Sequence, residues 1–382
     1  MQAHSPRRRS LIFAGLACAL CALALPASAQ ADASVAYRID TIAQGLAHPW
    51  SLATLPDGSL LVTERAGRLR VIERDAGGRM QLRTTPVTGV PPVYASGQSG
   101  LFDVLIDPGF ADNRLVYLSF AHGDSAANHL RVVRARFERG ALQDVRVIFS
   151  SRPAKTHDQH FGARMALLDD GTLVIGIGDG NLERIDAQKL NTHLGKTVRI
   201  GRDGSVPADN PFVGRAGALP EIYSLGHRNP QGMVSLPGQR VLYAHEHGSK
   251  GGDELNRVVP GANYGWPITT GGVDYTGARI TPWRTYPGIT PPLVEWTPSI
   301  APAGMAHYDG ALFPAWRGSL FVAALKEKSV RRVPMKEGVP GSQEILFTEL
   351  NERMRDVRSG PDGALYLLTD APNGRVLRVR PR

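Results

Sequence analysis

A short run of leucine, β-branched or aromatic residues recurs along the chain, each time after a turn-forming Gly, Asn or Asp. The six runs are Leu60-Leu61-Val62, Leu115-Val116-Tyr117, Leu173-Val174-Ile175, Val241-Leu242-Tyr243, Leu320-Phe321-Val322 and Leu365-Tyr366-Leu367. Short apolar runs bounded by turn formers are typical of strands rather than helices. The pattern therefore predicts an all-β protein built from six similar units.

Six units of this spacing favour a six-bladed β-propeller, because a four-stranded blade takes roughly 40 to 50 residues. The longest intervals, Leu173 to Val241 and Val241 to Leu320, predict long functional loops on one face. The final run, Val376-Leu377-Arg378-Val379, is expected to close the ring by pairing with an early strand near Val35-Ala36-Tyr37. A β-sandwich or two smaller barrels would be the structural alternative.

The first residues have the pattern of a cleaved export signal. Arg7, Arg8 and Arg9 precede an apolar run from Leu11 to Leu25, and a small-residue cleavage site follows at 27–29. We expect residues 1–29 to be removed and residues 30–382 to form one catalytic propeller domain in the periplasm. The apolar run is shorter than the ~20 residues of a spanning helix, so no stable membrane insertion is expected. Either Sec or twin-arginine export fits this segment.

Composition narrows the chemistry of the mature chain. Both cysteines, Cys18 and Cys21, lie in the predicted signal peptide, which excludes disulfides, thiolate metal ligands and a cysteine nucleophile. The formal net charge is +9, but no run of Lys and Arg is interleaved with aromatic residues, so no nucleic-acid partner is expected. An anionic ligand remains compatible with the positive charge.

Two histidines, His157 and His160, precede the third run in a polar turn, and either is a candidate base. Asp179 follows the second strand of the same predicted blade, so a hairpin would bring its carboxylate beside the imidazole of His160. An Asp that fixes the tautomer of a His and raises its basicity is the usual support for general-base catalysis. The alternative is two surface histidines and a turn aspartate.

Donors for an anion are concentrated in a few segments. Arg228, Asn229 and Gln231 lie between two glycines, where they either clasp a multi-oxygen anion or cap a loop. Arg353 and Arg355 alternate, which would place both on one side of a strand. Taken singly, Arg353 and Arg355 would be ordinary surface charges. Together with Lys326 and Arg228 they would line the mouth of a positively charged funnel.

The segment His245-Glu246-His247 with the nearby Asp253 and Glu254 mixes imidazoles and carboxylates. It lacks the helical i, i+4 spacing of zinc proteases and offers no third ligand. Hard oxygen ligands from Asp253 or Glu254, together with loop carbonyls, favour calcium instead.

The ordered set of motifs resembles the soluble PQQ-dependent aldose sugar dehydrogenases of the glucose/sorbosone dehydrogenase family. The resemblance runs from His48 to Asp370, and its markers are Gly97-Gln98-Ser99-Gly100-Leu101, His160-Phe161-Gly162, Leu194-Gly195-Lys196, Asp209-Asn210-Pro211-Phe212, Gly226-His227-Arg228-Asn229-Pro230-Gln231-Gly232, Gly251-Gly252-Asp253-Glu254, Asn263-Tyr264-Gly265-Trp266-Pro267 and Arg353-Met354-Arg355-Asp356-Val357.

The resemblance implies a role for individual residues. His160 would be the base, Asp179 its orienting partner, and Arg228 would steady the developing oxyanion. The implied contacts of the PQQ cofactor are Gln98, Arg228, Asn229, Gln231, Tyr275, Lys326, Arg353 and Arg355. Glu254 and the Tyr264 carbonyl would hold a structural Ca²⁺, with a second calcium against the cofactor.

The implied reaction is oxidation of an aldose sugar at its anomeric carbon to a lactone, with hydride transfer to PQQ and electrons passed to an external acceptor. A calcium-dependent propeller lactonase or esterase would keep the metal and the His but would need no arginine funnel. A non-catalytic propeller binding module would tolerate loss of His160 or Lys326, and this chain keeps both.

Overall fold

Six antiparallel sheets follow one another around a ring in the computed structural model, which describes residues 35–382. The predicted signal peptide and both cysteines lie outside the described residues. Residues Ala36–Arg382 form one compact unit. Within residues 35–382, no helix combines the length and the apolar character that a membrane span requires.

Strands are numbered along the chain, and the strands of each blade are given in order from the centre of the ring outwards. Blade 1 contains β2 (Pro49–Thr54), β3 (Leu60–Glu64), β4 (Arg68–Arg74) and β5 (Met80–Leu82). Blade 2 contains β6 (Leu101–Ile106), β7 (Leu115–Gly123), β8 (Asn128–Glu138) and β9 (Ala141–Ser150). Blade 3 contains β10 (Gly162–Leu167), β11 (Leu173–Ile177), β12 (Lys196–Ile200) and β13 (Ile222–Leu225).

The remaining blades follow the same plan. Blade 4 contains β14 (Pro230–Leu236), β15 (Val241–Glu246), β16 (Asp253–Val258) and β17 (Val294–Trp296). Blade 5 contains β18 (Pro302–Tyr308), β19 (Ser319–Ala324), β20 (Ser329–Lys336), β21 (Val339–Pro340) and β22 (Glu344–Leu346). Blade 6 contains β23 (Met354–Ser359), β24 (Leu365–Thr369), β25 (Gly374–Pro381) and β1 (Tyr37–Leu46). The described helices are α1 (Phe110–Asn113) and the 3₁₀ turns Arg184–Gln188, Pro314–Trp316 and Thr348–Leu350.

The predicted six-bladed propeller is confirmed. Each of the six apolar runs lies in the second strand of its blade, namely β3, β7, β11, β15, β19 or β24. Every residue of β3, β11, β19 and β24 is buried, because the neighbouring blades cover both faces of these strands. Burial on two faces explains why these segments are continuously apolar rather than alternating.

The ring closes as predicted, by pairing of the chain ends. In blade 6, β1 runs antiparallel to β25, with Ile39 opposite Val379 and Tyr37 opposite Pro381. The early strand begins at Tyr37 and extends to Leu46.

A buried ionic network joins the innermost strands at the centre of the ring. Arg164 of β10 contacts Oδ1 of Asp103 of β6 through Nη1 at 3.1 Å, and its guanidinium carbon lies 4.3 Å from the ring centroid of Trp50 of β2. Arg358 of β23 donates to the same Asp103 oxygen at 3.2 Å. The Arg164 Nε also donates to the carbonyl of Gln231 in β14 at 3.0 Å. Five of the six blades therefore meet around the side chains of Arg164 and Asp103.

The long insertions fall in blades 3 and 4, as expected. Residues 178–195 connect β11 to β12 and residues 259–293 connect β16 to β17, and both insertions reach the end of the propeller that carries His160. Residues 201–221 leave β12 at the opposite end. Part of the blade 4 insertion runs along β13, with main-chain hydrogen bonds from Gly261 to Tyr223 and from Trp266 to Gly226. This path carries Trp266 to the His160 end.

Candidate active site

The structure brings His160 and Asp179 together. His160 lies in the turn that enters β10, and Asp179 follows β11, whose Ile177 pairs with Gly162. The imidazole Nδ1 lies 2.7 Å from Oδ1 of Asp179, with the two side chains 6% and 0% exposed. Among the described residues, His157 has no comparable carboxylate contact; its carbonyl instead accepts a hydrogen bond from Lys155.

Trp266 holds the other oxygen of Asp179. Its indole Nε1 donates to Oδ2 at 2.7 Å, while the backbone N–H of Asn181 donates to Oδ1 at 2.8 Å. Burial favours a raised pKa for Asp179, but the hydrogen bond with His160 and the positive charges nearby lower that pKa below its ordinary value. Asp179 is therefore a fixed, ionised carboxylate.

Burial is the largest influence on the pKa of His160 and lowers it. The hydrogen bond and charge of Asp179 oppose this effect, whereas the charges of Arg228 and Lys155 add to it. The net pKa lies below the ordinary value, although a carboxylate partner alone would have raised it. The imidazole is consequently neutral and able to accept a proton at neutral pH.

Arg228 is buried beside this pair. Its Nη1 donates to the carbonyls of His247 at 3.2 Å and Gly248 at 2.5 Å, and its guanidinium carbon lies 5.3 Å from the ring centroid of Trp266. The backbone N–H of Asp179 also donates to the carbonyl of Arg228 at 2.8 Å. These contacts fix the guanidinium next to the base.

Gln98, Asn229 and Gln231 border the same turn. The Oε1 of Gln98 accepts a hydrogen bond from the backbone N–H of His160 at 3.2 Å. The Oδ1 of Asn229 accepts from the N–H of Gly162 at 3.1 Å and from Nε2 of Gln231 at 3.3 Å. The side chains expected to contact the cofactor thus also order the loop that holds the base.

Arg353 and Arg355 point to one side, as their alternation predicted. Both contact Oδ2 of Asp370, at 3.3 Å and 2.8 Å, and Arg353 also reaches the carbonyl of Leu325 at 3.5 Å, next to the exposed Lys326. Burial would raise the pKa of Asp370, but the charge and hydrogen bond of Arg355 lower it to about 2. Within residues 35–382, the Nε–H of Arg355 is buried with no acceptor, so the guanidinium keeps a donor for a ligand.

Tyr275 lies on the long insertion of blade 4 and is 66% exposed. Its neighbour Asp274 accepts a hydrogen bond from Arg184 at 2.9 Å, which ties the insertion to the segment that follows Asp179. Tyr275 is therefore exposed to solvent and is not part of the buried group around His160.

Glu254 lies in a row of three glutamates across blade 4. It pairs in register with Glu246 on β15 and Glu295 on β17. Glu254 and Tyr264 line one cavity of about 200 Å³. Burial and the neighbouring carboxylate of Glu246 raise the pKa of Glu254 to about 8. Arg284 lines the same cavity and pairs with Glu295 at 2.6 Å, so among the described residues Glu254 is the carboxylate of this cavity that no basic side chain neutralises.

Asp253, the other candidate calcium ligand, is committed elsewhere. Its Oδ1 accepts from the N–H of Gly248 at 2.8 Å, and its Oδ2 accepts from Ser299 Oγ at 2.7 Å and Ile300 N at 2.8 Å. The carboxylate of Asp253 thus stabilises the surrounding loops, and Glu254 is the candidate calcium ligand. Across the described part of the chain, no three His, Asp or Glu side chains converge as metal ligands, so a cation here would also need backbone oxygens.

Comparisons with known proteins identify the family of this chain. The sequence profile of the family described as Glucose / Sorbosone dehydrogenase matches residues 46–378. Aldose sugar dehydrogenase YliI of Escherichia coli (strain K12) is 39% identical over 356 residues, covering 92% of this chain and 94% of that protein.

Two solved structures of aldose sugar dehydrogenases are similar to this chain over most of its length. The soluble aldose sugar dehydrogenase (Asd) from Escherichia coli in the apo-form has a TM-score of 0.85 at 38% identity, covering 91% of this chain and 100% of that one. The PQQ-bound form of aldose sugar dehydrogenase from Streptomyces coelicolor has a TM-score of 0.72 at 29% identity, covering 90% and 98%. The chain therefore belongs to the glucose/sorbosone dehydrogenase family of oxidoreductases.

Proposed function

We propose that the chain is a periplasmic, PQQ-dependent dehydrogenase that oxidises aldose sugars at the anomeric carbon to lactones and passes the electrons to an external acceptor. The observation that carries the proposal is the buried His160–Asp179 pair beside the guanidinium of Arg228. The PQQ-bound relative from Streptomyces coelicolor supports the cofactor. The predicted signal peptide supports the location.

The donor set fits an anionic quinone with three carboxylates. Arg355 keeps a buried N–H for an acceptor, and Arg353 and Lys326 add exposed positive charges near it. Guanidinium groups match carboxylates in shape and charge. We expect PQQ to be held by these three cations with Arg228, and by Gln98, Asn229, Gln231 and Tyr275.

The chain's own groups account for the movement of the proton. Because Nδ1 of His160 is bound to Asp179, Nε2 is the nitrogen that accepts the proton of the anomeric hydroxyl. Asp179 stabilises the imidazolium that results, and Arg228 places positive charge beside the developing negative oxygen. Bound PQQ supplies the hydride acceptor, so loss of hydride from the anomeric carbon leaves the lactone carbonyl.

We further propose that Glu254 and the main-chain carbonyl of Tyr264 bind a structural Ca²⁺. The row of glutamates supports this, since burial and the charge of Glu246 raise the pKa of Glu254, and a bound cation would oppose both effects.

Reconstitution tests the proposed function. Purified PQQ-free protein, supplied with PQQ, calcium and a panel of aldoses, should reduce a redox dye and release lactone, and the panel defines the preferred sugar. The His160→Ala variant is the matched control and should reduce the dye at least ~10²-fold more slowly. Hydrolysis of a lactone with calcium alone, and no dye reduction with PQQ, would instead identify a lactonase.

A further inference from the structure

Lys155 is buried beneath the turn that carries His160. It lies in the segment between β9 and β10 and is 5% exposed. Its main chain forms a two-way hydrogen-bonded bridge with Asn128 of β8, with both N···O distances at 2.8 Å. Blade 2 therefore fixes the backbone of Lys155 before the chain enters blade 3.

The ammonium of Lys155 contacts both ends of the turn at residues 157–161. Nζ donates to the carbonyl of His157 and lies 3.7 Å from the ring centroid of Phe161, the residue next to His160. It also donates to Oδ1 of Asn128 at 3.1 Å. A cation over an aromatic face is attracted to it, more strongly when desolvated. Lys155 thus holds the turn at residues 157–161 against blade 2.

The aliphatic part of Lys155 packs against the turn that carries Asp179. A Cβ added to Gly180 would lie 2.9 Å from Cδ of Lys155, and Gly180 has φ of +75°. Only a glycine suits this combination of close approach and left-handed backbone. A single side chain therefore touches the segments on both sides of the His160–Asp179 hydrogen bond.

Few charged residues act on His160 and Lys155. Asp179, Arg228 and Lys155 act on His160, with the two cations opposing the carboxylate. Glu183, Asp158 and Asp179 act on Lys155. Burial lowers the pKa of Lys155 to about 8, so the ammonium is mainly charged at pH 7.

We propose that Lys155 is a positioning residue for the base: it fixes the His160 turn against the Asp179 turn and holds a buried positive charge between them. That charge disfavours protonation of the imidazole. Its side chain is buried and its ammonium is held by Asn128, His157 and Phe161, so it acts through His160. The inference rests on the proposed role of His160.

Three variants separate charge from packing. Lys155→Met keeps an unbranched stem and removes the charge, Lys155→Arg keeps the charge, and Lys336→Met removes a charge from the exposed end of β20 as a control. The pKa of His160 is measured by NMR of histidine-labelled, PQQ-free protein, with His160→Ala for assignment. The acid limb of kcat against pH is measured on the PQQ-loaded enzyme.

We expect Lys155→Met to raise the His160 pKa and to move the acid limb upward by roughly 0.5 to 1 pH unit, because a nearby positive charge has been removed. Lys155→Arg and Lys336→Met should stay close to the wild type. A lower melting temperature in Lys155→Met with an unchanged His160 pKa would show a merely structural role and overturn the proposal.

A second measurement does not depend on the folding of Lys155→Met. In the wild type, the His160 imidazole shift should show a further inflection near pH 8 as Lys155 loses its proton, and Lys155→Arg should abolish it. The same inflection in both proteins would contradict the inference. These NMR measurements do not require PQQ, so they test the inference separately from the proposed function. If the His160 pKa changes as expected but the enzyme does not reduce the dye, the proposed function is refuted. The effect of Lys155 on His160 is then still established.

Discussion

Nδ1 of His160 lies 2.7 Å from Oδ1 of Asp179, and both side chains are buried. Because Asp179 is ionised, Nδ1 carries the hydrogen of this bond and Nε2 carries the lone pair. The carboxylate also stabilises the imidazolium once a proton has been accepted. Asp179 therefore determines which nitrogen of the ring acts as the base.

Replacing the two histidines of the turn should have very different effects. His160→Ala should lower kcat by ~10²- to 10⁴-fold, the usual contribution of a general base, while PQQ still binds. His157→Ala should stay near the wild-type rate, since His157 contributes a backbone carbonyl to the turn. Steady-state kinetics with saturating PQQ measures both. A His160→Ala enzyme with cofactor bound and wild-type turnover would show that the base is another residue.

The acid limb of kcat/KM should lie below pH ~6.5, the ordinary pKa of histidine. Burial lowers the pKa of His160, so the neutral form persists as the pH falls and activity is lost only when the pH passes through that lowered value. Asp179→Asn removes the charge that opposes this shift, so the limb should move lower still while the rate falls. Kinetics between pH 4 and 8 tests both statements; an acid limb above pH 7 contradicts them.

Arg355→Ala should weaken PQQ binding more than it lowers kcat at saturating cofactor. A charged hydrogen bond is worth ~1.5 to 3 kcal/mol, which corresponds to roughly 10- to 100-fold in affinity. A contact remote from the reacting carbon acts about equally on ground and transition states. Titration of the PQQ-free protein with PQQ measures the affinity, with Arg38→Ala on exposed β1 as the control. Unchanged affinity would place Arg355 outside the cofactor site.

Removal of calcium should lower the melting temperature. A ligand that binds only the folded state adds about 2.7 kcal/mol of stability at a free concentration of 100 times its dissociation constant. EGTA treatment should therefore destabilise the wild type, and Glu254→Gln should no longer respond to added calcium. Thermal unfolding with elemental analysis checks this. A melting temperature unaffected by EGTA, with no metal bound, rules out the site.

Arg164→Leu should destabilise the fold by ~3 to 5 kcal/mol, because it removes one of two buried guanidinium groups and leaves Arg358 alone to pair with the carboxylates of Asp103 and Asp356. Arg164 is 1% exposed and contacts Asp103 and Asp356. The control, Arg79→Leu, removes an 89% exposed arginine paired with Asp75 and should cost less than about 1 kcal/mol. Denaturant unfolding measures both changes, and equal effects would show that the central network contributes little.

Local patterns in the sequence were sufficient for the blades and for one part of the site. The second strands are apolar because both of their faces are covered, so each run predicts a strand without knowledge of its neighbours. His160 and Asp179 belong to one hairpin, so their spacing along the chain was enough to expect their contact. Likewise, the alternation of side chains along a strand was enough to predict that Arg353 and Arg355 point to one side.

Contacts between blades could not be predicted in this way. Trp266 reaches Asp179 only because an insertion of blade 4 follows the edge of blade 3, and strand periodicity carries no information about that path. The sequence analysis did not single out Lys155, because its burial depends on Asn128 in blade 2. Asp253 resembled a metal ligand because residue type does not reveal that Ser299 and Ile300 already occupy its oxygens.

The pairing of β1 with β25 also imposes an order on assembly. The strand Tyr37–Leu46 is synthesised before blades 1 to 5, whereas its partner Gly374–Pro381 is synthesised after them. Blades 1 to 5 are formed from contiguous stretches of chain, whereas blade 6 has to bring the two ends together. A chain that stops before Gly374 would keep five complete blades, leave β1 without a partner, and present an open edge where the ring should close.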